Sequence, residues 1–565
     1  MTWCNILQRY YRAGIFAVIL GTVTVLFLET SFCRDCFSET PQKQRATTVI
    51  VRNDLQRLRA PFIHAGSNHI SDVTASNLDG ARENRFAQIL VAGSTGSQQL
   101  TNHAHVIAEV TSKNHGSEED VKGAPFSKLR LNRVPESETF LHWALLDNRQ
   151  PKKQSILRIF ATQNRTRLKH DRLRCEILSK SGRFLELPQD EAYAIYPSWP
   201  SPDLIYQAYY FGFKIPYEIE MSITTTATTA GLVRCFLNSQ PTKALVFEYS
   251  VVGPPPQTVD VAMCVRVTYG EFDALRLIEW FEFNRILGVK KFGFYTRQLH
   301  PDTERVLRYY ENIGVADVTQ VDFNDYLWYN YIRHDPVATS LRHADWLMEQ
   351  VYFTNINHCL YTLGARFSHV LLVDLDEFII PSNPSQSLQT LISRLHAMHP
   401  NFAGFTIAPM WHFDEFGPVH VNSSNGGNNS TDSGSNSVSL EEARNMTHIP
   451  LHTQRYLLRT TIIRSQPKTI FISGTYVTAN MHAVTTSVDG FGQNIYINDE
   501  HICALHHFRY ECKNDVETCK TMMANPVRDD VIPQHSDKLQ ERVKSIVNGV
   551  IDSVGSKVGP SKNTT

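Results

Sequence analysis

The chain has 565 residues, of which 42% are hydrophobic, and sets 55 Lys and Arg against 56 Asp and Glu. That length exceeds one domain at roughly 150 residues each, and the apolar fraction supports a sizeable core. A balance so near neutrality argues against a nucleic-acid-binding protein, in which Lys and Arg would be in excess on one face.

The first element is a span. Ala13 to Leu28, AGIFAVILGTVTVLFL, carries no charge. Tyr10 and Tyr11 before it and Thr30-Ser31-Phe32 behind extend it towards the ~20 residues a bilayer requires, although Glu29 interrupts. Arg9 and Arg12 precede it and predict a cytosolic N-terminus. A cleaved signal peptide is the rival, but no small-x-small site follows in ETSFCRDC. The expectation is a tail over 1–12, a transmembrane signal anchor over 13–32 and a lumenal remainder.

Two features agree with that compartment. N-x-S/T sequons begin at Asn164, Asn422, Asn428, Asn429, Asn445 and Asn563. Nine cysteines follow the span, an odd number that leaves one thiol free or paired between chains. Cys33 and Cys36 lie just past the span, where a bridge to a second copy would give a disulfide-linked homodimer. Zinc competes for that C-x-x-C, but no second pair has matching spacing.

Residues 33–137 are polar without sustained periodicity and read as a flexible stem. Over 138–255, runs such as SILRIFATQ, LRCEILSK, GLVRCFLN and ALVFEYSVV predict a smaller β-rich module. The Pro-rich VVGPPPQTV joins it to residues 256–549. There strands and helices alternate: VAMCVRVTY, a helix over 271–287 stopped by Gly288, KKFGFYT, a helix stopped by Gly314, VADVTQV, and a helix over 341–363 stopped by Gly364. Such alternation predicts an α/β fold with a doubly wound sheet. Residues 422–447 read as a disordered insertion. A last helix is expected from about Ser536 to Val547 with Gly549 as its stop, and 550–565 read as a loose tail.

The next strand of that series ends in chemistry. In FSHVLLVDLDEFIIP, the aliphatic run Val370 to Val373 reads as a strand buried on both faces. Asp374, Asp376 and Glu377 follow at its C-terminal end, where open α/β sheets bind ligands. If the chain stays extended, Asp374 and Asp376 share a side. Clustered carboxylates repel one another unless a cation lies between them. A lumenal, nucleotide-type sheet with such a D-x-D suggests a sugar-nucleotide transferase, in which a divalent cation offsets the charge of a diphosphate leaving group.

At this point the sequence resembles glycosyltransferase family 92. CVRVTYGEFDALRLIEWFEFNRILGVKKFGFYT is similar to the opening of that family's catalytic domain, HVLLVDLDEFIIP to its D-x-D block and ALHHFRY to its late His-aromatic-Arg block. The β-rich stretch with Asp147-Asn148-Arg149 is similar to the module in front. The resemblance implies a GT-A-like doubly wound mixed sheet and an inverting, metal-dependent, Golgi-anchored galactosyltransferase. It implies a UDP-sugar donor, a glycan acceptor on glycoprotein or glycolipid, and Mn2+ or another divalent cation. Asp376 matches the direct metal ligand and Asp374 the residue nearer the ribose and metal-bound water. His507 and His482 are both candidate ligands, and His506 is adjacent. Tyr269 and Glu271 stand at donor-binding positions, Lys468 and Arg509 match such positions, and Glu279, Trp280 and Glu282 match the E-W-x-E segment.

The chain departs from the family pattern in three places. Tyr269-Gly270-Glu271 replaces a Lys-Asn-Glu-like triplet, Ile472 and Ser473 stand where Arg-Pro is expected, and Asp414-Glu415 replaces Phe-Gly-Ser. An inverting transfer needs a base for the acceptor hydroxyl, and Glu415, with Asp414 beside it, is the acidic pair after the D-x-D. Trp411 nearby is a candidate sugar platform. A haloacid-dehalogenase-type phosphatase is disfavoured because Phe378 stands where a small hydroxyl residue belongs. The other reading is a catalytically decayed, membrane-tethered, lectin-like glycan-binding protein.

Overall fold

The computed structural model describes residues 126–150, 154–164, 171–195, 206–221, 231–270, 272–322, 341–416, 438–509, 511–512 and 516–555. The expected anchor, Cys33, Cys36, Glu271, Asn422 and Asn428 lie outside them. No described helix is long and apolar enough to cross a membrane.

The first strands are Ser127–Arg130 (β1), Asn132–Arg133 (β2), Thr139–Asp147 (β3), Ile156–Asn164 (β4), Leu173–Leu178 (β5), Phe184–Leu187 (β6), Gln189–Ala194 (β7), Tyr206–Lys214 (β8), Gly231–Leu237 (β9) and Leu245–Val252 (β10). All but β1 form one sheet in the order β6-β5-β9-β10-β3-β4-β8-β7, with β2 on β3. A disulfide, Cys175–Cys235, ties β5 to β9. Every residue of β3 is buried, so both faces of this sheet are covered. One face holds its own core of Leu141, Ile159, Phe213 and Val233.

The second sheet is built from alternating strands and helices: Val261–Gly270 (β11), Ala274–Leu287 (α1), Lys291–Leu299 (β12), Pro301–Asn312 (α2), Ala316–Asp322 (β13), Leu341–Gly364 (α3) and His369–Leu372 (β14). After Glu377–Pro381 (β15) and Leu388–Met398 (α4) come Gly404–Ile407 (β16), Pro409–Phe413 (β17), Leu440–Asn445 (α5), Leu458–Arg459 (β18), Lys468–Ile472 (β19), Tyr476–Ala479 (β20), Val484–Ser487 (β21) and Ile495–Ile497 (β22). The chain then runs through Cys503–Arg509 (β23), Val516–Met523 (α6), Val527–Arg528 (β24) and Ser536–Gly555 (α7). The sheet order is β1-β13-β12-β11-β14-β19-β16-β22. The strands from β1 to β14 run parallel, and β19 is antiparallel to both its neighbours. This is a mixed α/β architecture that fits a GT-A-like fold. The chain order reverses between β11 and β14, so a ligand crevice is expected outside their C-terminal ends.

Local chemistry explains the helix ends. Asp273 caps α1 by accepting the Arg276 N–H, and Gly288 closes it at φ 108°, a left-handed conformation that favours glycine. A disulfide, Cys264–Cys359, joins β11 to α3.

Three sequence expectations are corrected. The segment read as stem is folded from Phe126 onward, because Leu129 and Leu131 are buried and β1 pairs in register with β13. Four edge-strand residues are too short a run to show a period. Within 422–447, residues 440–445 form α5, started by a capping box of Ser439 and Glu442 and anchored by buried Leu440 and Ala443. Gly549 does not stop the last helix: it lies inside α7, where a Cβ would clash with the Tyr309 hydroxyl. It is a close-packing glycine, and residues 550–555 continue the helix.

The β-module docks on α3 through buried polar groups. Trp143 Nε1 donates to the Thr354 carbonyl at 3.0 Å, and the Ala208 N–H donates to Gln350 Oε1 at 2.9 Å. Arg149 donates to the Tyr476 carbonyl at 2.8 Å and lies 4.1 Å over the Tyr361 ring. Asp147 holds both Arg149 at 2.9 Å and Arg158 at 2.6 Å. Burial pushes the Asp147 carboxyl up, but the two guanidinium groups hold it well below the usual carboxylate range. A depressed carboxyl contributes stability that is present above its unfolded value of about 3.9 and is lost as pH falls below it. Asp147→Asn leaves two buried cations without a counter-charge and is expected to cost about 3–5 kcal/mol. Denaturant melts at neutral pH check this, and the variant should lose part of the wild-type fall in melting temperature below about pH 4.

Candidate functional site

The site forms where β14 runs out. Val373 still donates its N–H to the Cys264 carbonyl, keeping the chain against β11. Leu375 and Asp376 then turn, and Glu377 opens β15 opposite His507 of β23. The turn is closed from both ends: the Glu377 N–H donates to the Asp374 carbonyl at 3.1 Å, and the Asp374 N–H donates to Glu377 Oε2 at 2.8 Å. The D-x-D is therefore a turn rather than an extended pair, and its two carboxylates take different partners.

Asp374 is held by cations. Lys468 Nζ lies 2.8 Å from Oδ2 and Arg266 Nε 3.2 Å from Oδ1. Burial alone would raise this carboxyl, but Lys468 and Arg266 hold it well below the usual range. The buried Lys468 ammonium is also 3.1 Å from Glu377 Oε2. Burial lowers its affinity for a proton, yet Asp374 and Glu377 raise it further, so it stays charged. Asp376 faces His507, with Oδ2 3.3 Å from Nε2. Burial pushes that carboxyl up and His507 brings it down to about 2. Glu377 is raised by burial, and its Oε1 lies 3.3 Å from His507 Nδ1.

One ligand atom each from Asp376, Glu377 and His507 falls within 4.8 Å of the others. Glu377 Oε1 and His507 Nδ1 are buried without a hydrogen bond. Lys468 and Arg266 are committed to Asp374 and Glu377, which leaves Asp376 facing the His507 imidazole. Two carboxylate oxygens and an imidazole nitrogen converging in this way are a donor set that fits a divalent cation.

The remaining candidates are distributed unevenly. Arg509 shares the face of His507, donates from Nε to His507 Nε2 at 3.1 Å and lies 4.7 Å over the Trp411 ring. His482 donates from Nδ1 to the Pro467 carbonyl at 2.8 Å and is brought down to about 4 by burial, with Lys468 adding to the effect. It lies outside the convergent group among the described residues. His506 points to the opposite face of β23. Asp414 and Glu415 form a 3-10 turn after β17, next to Arg509 in register, and Glu415 accepts the Cys512 N–H at 3.0 Å. Trp411 is buried and stacked 4.0 Å from His507, so it is no open sugar platform. Tyr269 lies on β11 opposite Arg297.

Two acidic residues of the E-W-x-E segment are structural. Glu279 accepts the N–H groups of His452 and Thr453 at 2.6 and 2.7 Å, together with the Thr453 hydroxyl at 2.6 Å. Glu282 is paired with Arg285, Arg542 and Tyr310. Among the sequon asparagines, Asn445 is exposed, whereas Asn164 is buried with its amide donated to Glu138. Sequence reasoning passed over Arg266, although a lone charge inside the apolar VAMCVRVTY marks it.

The model of glycosyltransferase family 92 matches residues 259–547. A stretch of 197 residues, 34% of this chain, is 23% identical to beta-1,4-galactosyltransferase galt-1 of Caenorhabditis elegans and spans 41% of that protein's length. A crystal structure of S. aureus TarS 1–349 aligns over 54% of this chain and 76% of that one, with 12% identity and a TM-score of 0.20. That score is too low to bear on the fold.

Lys468→Met tests the charge arrangement. It leaves Asp374 and Glu377 facing each other with Arg266 alone to offset them, and is expected to destabilise the fold by about 3–5 kcal/mol. Adding Glu377→Gln should recover part of that loss in denaturant melts. An additive double variant would mean that the two groups are not coupled.

Proposed function

The chain belongs to glycosyltransferase family 92, and from that premise we propose that it transfers a hexose, specifically galactose, from a UDP-sugar to a hydroxyl of a glycan on glycoprotein or glycolipid. The observation that carries this reading is the cluster at the end of β14, where Asp374, Asp376 and Glu377 meet Lys468, Arg266 and His507. The choice of galactose rests on the name of the worm relative.

Asp376 and His507, backed by Glu377, are the residues that would hold a divalent cation, with manganese suited to the mixed oxygen and nitrogen set. Such an ion supplies charge neutralisation for a diphosphate leaving group. The chain's own groups do the rest. Lys468 and Arg266 fix Asp374 at the crevice between β11 and β14, on the ribose side of the donor. Arg509 is placed to turn from His507 to the diphosphate. Glu415, exposed at the end of β17, takes the proton from the acceptor hydroxyl in an inverting displacement, with Asp414 beside it. The chain is anchored by residues 13–32 in the Golgi membrane with the enzyme in the lumen, Cys33 or Cys36 bridges two copies, and Asn445 carries a glycan.

Asp376→Asn keeps the side-chain shape and removes one charged ligand. Transfer from UDP-galactose with manganese should fall at least ~100-fold, or about 2.7 kcal/mol of transition-state stabilisation. Melting without metal at neutral pH should fall by only a few degrees, because the carboxylate that His507 holds down to about 2 is lost while the side-chain shape is kept. Wild-type transfer by the variant would remove Asp376 from the site. Turnover with other UDP-hexoses alone would correct the sugar, and manganese-dependent UDP binding without turnover would favour the glycan-binding reading.

A further inference from the structure

Strand β23 separates two histidines. His507 and Arg509 share one face with Trp411 and Phe413 of the neighbouring β17, and His506 and Phe508 share the other with Met410 and His412. Behind that second face, Asp529 follows β24. Its Oδ1 accepts the N–H groups of Val531 at 2.9 Å and Ile532 at 3.3 Å, which fixes the carboxylate. Its Oδ2 is turned towards two imidazoles.

His506 Nδ1 lies 3.0 Å from Asp529 Oδ2, His412 Nε2 lies 3.4 Å from it, and the two ring nitrogens are 3.1 Å apart. All three residues are buried. Despite these short distances, Asp529 Oδ2 has no well-aligned hydrogen bond. A buried carboxylate oxygen left so is costly. Around a tetrahedral zinc, bonds of roughly 2.0–2.2 Å put neighbouring ligand atoms about 3.3–3.5 Å apart and off one another's lone-pair axes. The triangle here has nearly that size, and its two edges to Asp529 Oδ2 have that misalignment, while the two imidazoles are hydrogen-bonded to each other. We propose that His412, His506 and Asp529 bind a zinc ion through three protein ligands, with a solvent molecule in the fourth position.

The three ligands come from β17, β23 and the segment after β24, so one ion would staple three chain segments behind the sheet whose front carries His507 and Arg509. The site is separate from the Asp376 cluster, and the two ligand groups share no residue. Arg459, with Nε 3.8 Å from Asp529 Oδ2, is the competing partner. A site served by Arg459 alone would be an ion pair with no need of metal.

The full chain is purified from cells grown with zinc, without chelator, and its metal content is measured by plasma mass spectrometry. Stoichiometric zinc is expected. Asp376→Asn should retain it, because that variant disturbs only the front site. His412→Gln and Asp529→Asn should each lose it. Wild-type protein stripped by chelator should melt roughly 3–5 °C lower and recover on adding zinc alone, a readout that stands even where the variants fold poorly. Metal-free wild type whose melting ignores zinc and chelator would overturn the proposal and leave the Arg459 ion pair. Zinc lost in Asp376→Asn but kept in His412→Gln would also overturn it, by placing the ion at the front.

Discussion

A buried ammonium organises the end of the sheet. Lys468 lies within 3.1 Å of both Asp374 and Glu377 and is almost wholly removed from water. Neither carboxylate would remain charged there alone, since an unpaired buried charge neutralises itself by shifting its pKa. With Lys468 in place, the turn between β14 and β15 stays closed, because Glu377 can spend its other contacts on the Asp374 N–H and on His507. Asp376 is then the acidic member that Lys468 and Arg266 leave to His507, which it faces across 3.3 Å. The division of the three acids into anchored and available groups follows from where one cation sits.

The two faces of β23 extend that logic. Alternation along a strand sends His507 and Arg509 towards the crevice and His506 towards the interior. The β-module reinforces the same scaffold from behind. Its Trp143 and Arg149 bind α3 and β20, and Cys264–Cys359 ties α3 to β11. A rigid floor of this kind suits a site whose groups must keep fixed positions relative to one another.

Much of the fold was legible because the core elements have a period. The α/β alternation from Val261 to Leu372 appears in the sequence as apolar runs and glycine stops, and each corresponds to an element. What escaped was short or tertiary. Strand β1 has four residues and gains its meaning only from β13. Helix α5 hid behind a polar composition although Ser439 and Glu442 spell its cap. Gly549 read as a stop because a sequence does not show Tyr309 approaching it. In the site, the D-x-D drew attention at once, but its geometry did not follow. Pairing depends on Arg266, 108 positions upstream, and on Lys468, 94 positions downstream. The E-W-x-E acids allowed a structural role as readily as substrate contact, and they are an internal cap and a counter-ion.

The central claim is that His507, rather than His482, completes the cation site with Asp376. Manganese binding in the presence of UDP, followed by titration calorimetry, separates them in one experiment. His507→Gln should weaken manganese binding at least ~10-fold, or about 1.4 kcal/mol, while His482→Gln should bind as the wild type does. Normal binding by His507→Gln together with loss in His482→Gln would contradict the account.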